Sequence, residues 1–224
     1  MNKIRDSRAE FMKIKPVLFN TDMVRAILDG RKTVTRRVVK QFVPDDAQFG
    51  YTAFTPKGCI SARGIYEDGY GEKFYKLPYQ PGDILYVRET WSWCPCWDCG
   101  HDSESGCTET PSSRFYNEEK REYGCYGFKA SFADNEQPFD RWHPSIHMPK
   151  EAARIFLRVT SVRVERLHGM TEDDVRCEGF ENPGDFIRLW DNTIKPADRE
   201  RYGWAANPWV WVIKFERCGK PEEF

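Results

Sequence analysis

The strongest constraint on the fold is a set of strand-length runs in which apolar and polar residues alternate. Residues 154–166 form the longest run: Ile155, Leu157 and Val159 alternate with polar neighbours, and Val162 and Val164 continue it. GDILYVRE (residues 82–89) is a second, entered by a turn. In residues 209–216, Trp209, Trp211, Ile213 and Phe215 share one face. A period of two is the signature of a half-buried strand. Residues 16–19 and 32–39 add shorter, β-branched runs. Helical signals are brief. Residues 21–30 place Met23, Ala26 and Ile27 on one face, with Thr21 as N-cap and Gly30 at the left-handed C-terminal position. Thr171 to Asp174 spell a capping box ahead of a helix of one to two turns, closed by Gly179. Phe186, Leu189 and Trp190 mark one more helix. Five or six strands with short helices at the connections predict an α+β fold, a mostly antiparallel β-barrel with helices on its ends. Residues 44–82 predict only short strands. Residues 92–140 lack a periodic core pattern and read as a cysteine-rich insertion.

A chain of 224 residues, 40% hydrophobic, suffices for one domain with a real core. Its 34 Lys and Arg balance 35 Asp and Glu, which excludes bulk phosphate neutralisation as the mode of action but not a local basic pocket. Aromatics make up 15% of a chain whose mean hydropathy is -0.71, an excess that needs either a packed core or a stacking surface. The first 13 residues mix charges without an apolar run, and no stretch approaches the roughly 18 apolar residues of a membrane span. The expectation is a cytoplasmic protein with no membrane partner.

In a reducing compartment, eight cysteines call for a reading other than disulfides. Cys59, Cys125, Cys177 and Cys218 are scattered and read as packed or partly exposed thiols. Cys94, Cys96, Cys99 and Cys107 cluster, and four soft thiolates suit a tetrahedral structural zinc, with His101 able to replace one. The competing reading is a surface loop of thiols, because Cys94 and Cys96 are one residue closer than the usual paired spacing. His143 and His147 are alternative ligands, but Pro144 argues against the helix such pairs ride on.

The densest polar motif is GRKTVTRR, residues 30–37. Its cations and hydroxyls suit an anion or nucleotide pocket, or else a solvated edge strand. Arg88 and Glu89 end a strand, where they line a cleft or pair together. Trp91, Trp93, Trp97 and Trp142 are candidates for base stacking, whereas Trp209 and Trp211 belong to the core. His147 reads as a structural hydrogen-bond partner. No G-x-G-x-x-G, P-loop or G-x-S-x-G motif is present.

Four segments carry a resemblance: KPVLFNTDMVRAILDGRKTVTRR, GDILYVRETW, HPSIHMPKEAARIFLRVTSVRVERL and LHGMTEDDVRCEGF. In this order they resemble the ASCH domain of the PUA-like superfamily, in its bacteriophage and prophage form, over residues 14–91 and 142–217. The resemblance implies a single PUA-like barrel over residues 14–217, with residues 92–140 inserted, and a basic cleft that accepts RNA or a modified nucleoside. It places Arg31, Arg36, Arg37, Arg88, Glu89 and Trp142 in ligand binding. One bacterial branch hydrolyses N4-acetylcytidine with a Lys, a Thr and a Glu, which fall here on Lys32, Thr35 and Glu178. In that chemistry Thr35 attacks, a desolvated Lys32 takes its proton, and Glu178 relays a proton or holds Lys32. Residues 32 and 35 of a regular strand point to opposite faces, so convergence requires a turn between Gly30 and Thr33. A further reading attached to similar phage proteins is an accessory role in assembly.

Overall fold

The computed structural model describes residues 13–96, 115–136 and 139–224. In chain order its elements are β1 (Ile14–Leu18), α1 (Thr21–Leu28), β2 (Val34–Val38), β3 (Gln48–Gly50), β4 (Cys59–Tyr66), β5 (Gly69–Lys76), β6 (Ile84–Arg88), β7 (Trp91–Pro95), β8 (Phe115–Asn117), β9 (Glu122–Phe128), β10 (Phe156–Arg166), α2 (Glu172–Cys177), α3 (Pro183–Thr193), α4 (Arg199–Tyr202) and β11 (Trp209–Cys218). The α+β, antiparallel-dominated class is as the alternation predicts.

The strands form three sheets: a five-stranded one in the order β1-β6-β10-β11-β2, and two three-stranded ones, β3-β4-β5 and β7-β9-β8. In the large sheet only β1 and β6 run parallel. The alternation in β11 is buried on both sides. Trp211, Ile213 and Phe215 face a core shared with α1 and the β3-β4-β5 sheet, while Val210 and Val212 face α2 and α3. A sheet covered on both faces reads as a near-continuous apolar run, which explains WVWVI. In β10 the pattern changes phase: Leu157, Val159 and Val162 all enter the first core. A bulge between Val159 and Ser161 makes this possible, since the register moves from Val159 opposite Phe215 to Ser161 opposite Lys214.

Several local expectations are corrected. The N-cap of α1 is Asn20, whose Oδ1 accepts from the Met23 N–H at 2.8 Å, and Thr21 is the first helical residue. Gly30 does adopt the left-handed conformation (φ +76°) that ends the helix. Residues 44–82 hold, besides the short β3, the eight-residue partners β4 and β5. Within residues 92–140, β9 pairs with β7 and places Trp93 and Tyr126 in a third core with Ile84, Met148 and Phe156. The Thr171–Asp174 capping box is present as read.

Core position rather than strand membership sets the cost of a truncation. Leu157→Ala, at a fully buried position of β10, should destabilise by about 2–5 kcal/mol in urea unfolding. Phe74→Ala, 42% exposed on β5, should change stability by less than about 1 kcal/mol.

Candidate functional site

The basic motif is split by the fold into different environments. β2 begins only at Val34, so Lys32 lies in the turn that follows α1. Its backbone N–H donates to the Ala26 carbonyl at 2.9 Å, and the Thr33 N–H donates to the Cys177 carbonyl at 2.8 Å. These bonds tie the turn to the ends of two helices. They direct the Lys32 side chain inward, where Nζ donates to Glu178 Oε2 at 2.5 Å and to the Glu178 carbonyl at 3.0 Å. Both side chains are essentially water-free, at 0% and 2% exposure. Burial pulls the Lys32 amine below the ordinary lysine range; Glu178 opposes the shift, and Arg37 and Arg36 reinforce it.

Glu178 is the C-cap of α2, and Gly179 follows it at φ +95°. A Cβ at residue 179 would stand 2.8 Å from Ala26 Cβ and 3.3 Å from Lys32 Cβ. Glycine is therefore needed both for the backbone angle and for the approach of α2 to α1.

Arg36 and Arg37 point to opposite faces of β2, because their register partners are Val212 and Trp211. The Arg36 guanidinium is fully buried among carboxylates: Glu165 Oε1 at 2.8 Å, Asp174 Oδ1 at 3.0 Å and Glu178 Oε1 at 3.3 Å. These contacts join β2 to β10 and α2. Burial alone would raise the Asp174 pKa, but bonds from the Thr171 backbone and from Arg36 hold that carboxyl below its usual range. Arg37 Cζ lies 5.7 Å from the Phe19 ring centroid, and Nη2 donates to the Leu18 carbonyl at 3.0 Å. Lys32 Nζ is 5.5 Å from the same ring. Burial lowers the Arg37 pKa, against Tyr79 and Glu178, and burial raises that of Tyr79. Thr35 is buried opposite Ile213, on the Arg37 side of β2.

The remaining candidates are dispersed. Arg31 is half-exposed and donates to Asp29 and to the Gly179 carbonyl. With Gly30, Thr33, Arg176, Cys177 and Phe180 it lines a cavity of about 500 Å3 just outside the Lys32 turn. Arg88 and Glu89 do not pair: Arg88 Nη2 donates to the Ile146 and Met148 carbonyls, and buried Glu89 takes a two-pronged contact from Arg154 at 2.9 and 3.0 Å. Trp142 packs against Phe132 and Phe139. His147 is exposed. Of the metal candidates, Cys99 and Cys107 lie outside the described residues, as do Trp97 and His101. Among the described residues no three His, Cys, Asp or Glu side chains are grouped to hold a metal. The β7–β9 register sets Cys94 directly opposite Cys125, a residue the sequence pattern left among the scattered thiols.

The fold thus unites Lys32, Glu178, Arg36 and Arg37 around β2 and the end of α2, and leaves Arg88, Glu89 and Trp142 in structural contacts of their own. Phe19, Tyr79 and Glu165 had no motif to mark them. Asp174 was visible only as a helix cap.

No protein-family model matches the chain, and searches of curated proteins and of solved structures give no match either.

The carboxylate cage predicts an acid-side effect. Because the folded-state pKa of Asp174 is lowered, its stabilisation is full above the unfolded value and is lost as pH falls through the folded one. The deficit of Asp174→Ala should be about 1–3 kcal/mol at pH 7 and should shrink below about pH 4 in paired denaturation curves.

Proposed function

We propose that the chain is an ASCH-type, PUA-like domain that binds RNA or a modified nucleoside beside β2, and that Lys32, Thr35 and Glu178 enable it to deacylate N4-acetylcytidine-type substrates. The observation that carries this reading is the direct Lys32–Glu178 contact between residues 146 positions apart in sequence. In this reading the buried lysine takes the part of general base toward the Thr35 hydroxyl, with Glu178 as its partner. Lys32 lies in the turn before β2, so the strand alternation that would set it opposite Thr35 does not extend to it.

The binding half of the proposal draws on the cavity outside the turn. Arg31 and Arg176 offer planar donors to a phosphate or carbonyl, and Phe180 offers a ring to a base. Arg37, with Leu18 and Tyr79, adds a cation where the two end strands of the large sheet come together. β1 and β2 share no ladder among the described residues, and closure of the family's barrel across them is part of this proposal. An assembly role has no residue here to support it. Hydrolysis is favoured over bare binding by the water-free lysine, whose burial a simple phosphate contact would not need.

The catalytic half is tested by incubating the protein with N4-acetylcytidine and following cytidine release. Thr35→Ala should lower turnover by roughly 100-fold or more while retaining the wild-type circular dichroism, and Glu178→Gln should lower both turnover and stability, since it leaves Lys32 and Arg36 without their shared carboxylate. Wild-type turnover no higher than that of these variants rules hydrolysis out. Binding is tested separately with short single-stranded RNA at two salt concentrations. Arg31→Ala should weaken it about tenfold and flatten its salt dependence.

The clustered cysteines are proposed to hold a structural zinc, with Cys94 and Cys96 from the described residues. Cys125, facing Cys94, has the soft donor chemistry to replace a sequence-assigned ligand. Elemental analysis of freshly purified, reduced protein should find about one zinc per chain, lowered in Cys94→Ser.

A further inference from the structure

The ribbon of β7 and β9 has a second face that the proposed function does not use. Strand alternation puts Trp91 and Trp93 of β7 on one side, opposite Phe128 and Tyr126 of β9. Tyr126 meets Trp91 and Trp93 edge-to-face, with centroids 5.4 and 5.1 Å away. This geometry stands the rings at steep angles to one another, so that they form walls rather than a flat stack. Together with Tyr116 they border a cavity of about 330 Å3, at the lower end of small-ligand pockets.

The charge at this cavity is negative. Glu118, Glu119 and Glu151 line it, and Lys120 is the one cation among its described lining residues. The Tyr126 hydroxyl donates to Glu151 Oε1 at 3.3 Å. Burial raises the Tyr126 pKa, and Glu151 and Glu119 raise it further, as a negative local potential requires. Such a rim repels phosphate and carboxylate ligands. Among the described residues no three carboxylates, histidines or thiols converge here as a bare metal ion demands. Aromatic faces under a carboxylate rim instead suit a large, weakly hydrated cation. The chain carries its own demonstration, because Lys120 Nζ sits 5.9 Å from the Trp93 ring centroid.

We propose that this cavity binds the head group of a methylated ammonium compound, with Trp93 and Tyr126 as walls and the three glutamates as counter-charge. Lys120 then acts as a built-in competitor: its ammonium occupies the approach to Trp93 and must swing aside when ligand enters. This site is separate from Lys32 and does not depend on the proposed deacylation.

The probes are choline and its neutral isostere 3,3-dimethylbutan-1-ol, titrated against the full chain by tryptophan fluorescence. Choline should saturate, binding several-fold to about tenfold more tightly than the isostere, and should weaken with added salt. Lys120→Ala should tighten choline about two- to fivefold. That substitution should leave the fold intact, because Lys120 is exposed and, among the described residues, its other bond runs from its backbone N–H to Asn117. Glu151→Gln should weaken choline without changing affinity for the isostere. Equal affinity for the two probes, no saturable response to millimolar choline, or weaker binding by Lys120→Ala would each overturn the proposal.

Discussion

A buried lysine is the constraint around which the rest of this structure is organised. An ammonium removed from water is costly unless it meets an opposite charge and has its donors satisfied. Lys32 meets both conditions through one residue, using the carboxylate and the carbonyl of Glu178. The second Glu178 oxygen is taken by Arg36, which also draws in Glu165 of β10 and Asp174 of α2. Three separate stretches of chain, residues 30–37, β10 and α2, are thereby locked by one set of charges. Each needs the others, for removal of any partner strands a charge in a dry interior. Gly179 belongs to the same argument: without its backbone angle and missing Cβ, α2 could not bring Glu178 onto Lys32.

Much of the architecture was legible because it depends on local rules. The alternation in residues 209–216 and 154–159, the capping box at Thr171 and the glycine stop at Gly30 each express a preference of neighbouring residues, and each is present. The β4–β5 hairpin was not legible. Its outward face carries Ile65, Tyr70 and Phe74, so apolar residues occupy positions where the pattern expects polar ones. The site was half legible. The resemblance pointed to Lys32 and Glu178, which do meet. It could not separate Arg36 from Arg37, because adjacent strand residues face opposite ways and only the cover on each face decides which one is caged. Glu89 finds Arg154 rather than Arg88 for the same reason: pairing across strands is long-range information.

The β7–β9 ribbon shows how a segment without an obvious period can still be ordered by alternation. One face carries Trp91, Trp93, Phe128 and Tyr126; the other carries Ser92, Cys94, Gly127 and Cys125. Aromatic and thiol chemistry are interleaved in sequence and separated in space. The buried aromatics among the described residues accordingly divide into three: a sheet core, the α2–α3 layer and a core that includes this ribbon.

The order of strands in the large sheet has a consequence for how the chain is made. β1 must wait for β6, 70 positions further on, and β2 must wait for β11, roughly 170 positions further on. While synthesis proceeds from one end, the GRKTVTRR strand therefore emerges long before either its ladder or Glu178 exists. Its charges are then dissolved rather than caged, and they serve a different purpose, keeping an unpaired β-branched strand from joining another chain. The same cations that the finished protein buries act first as the nascent chain's protection against aggregation.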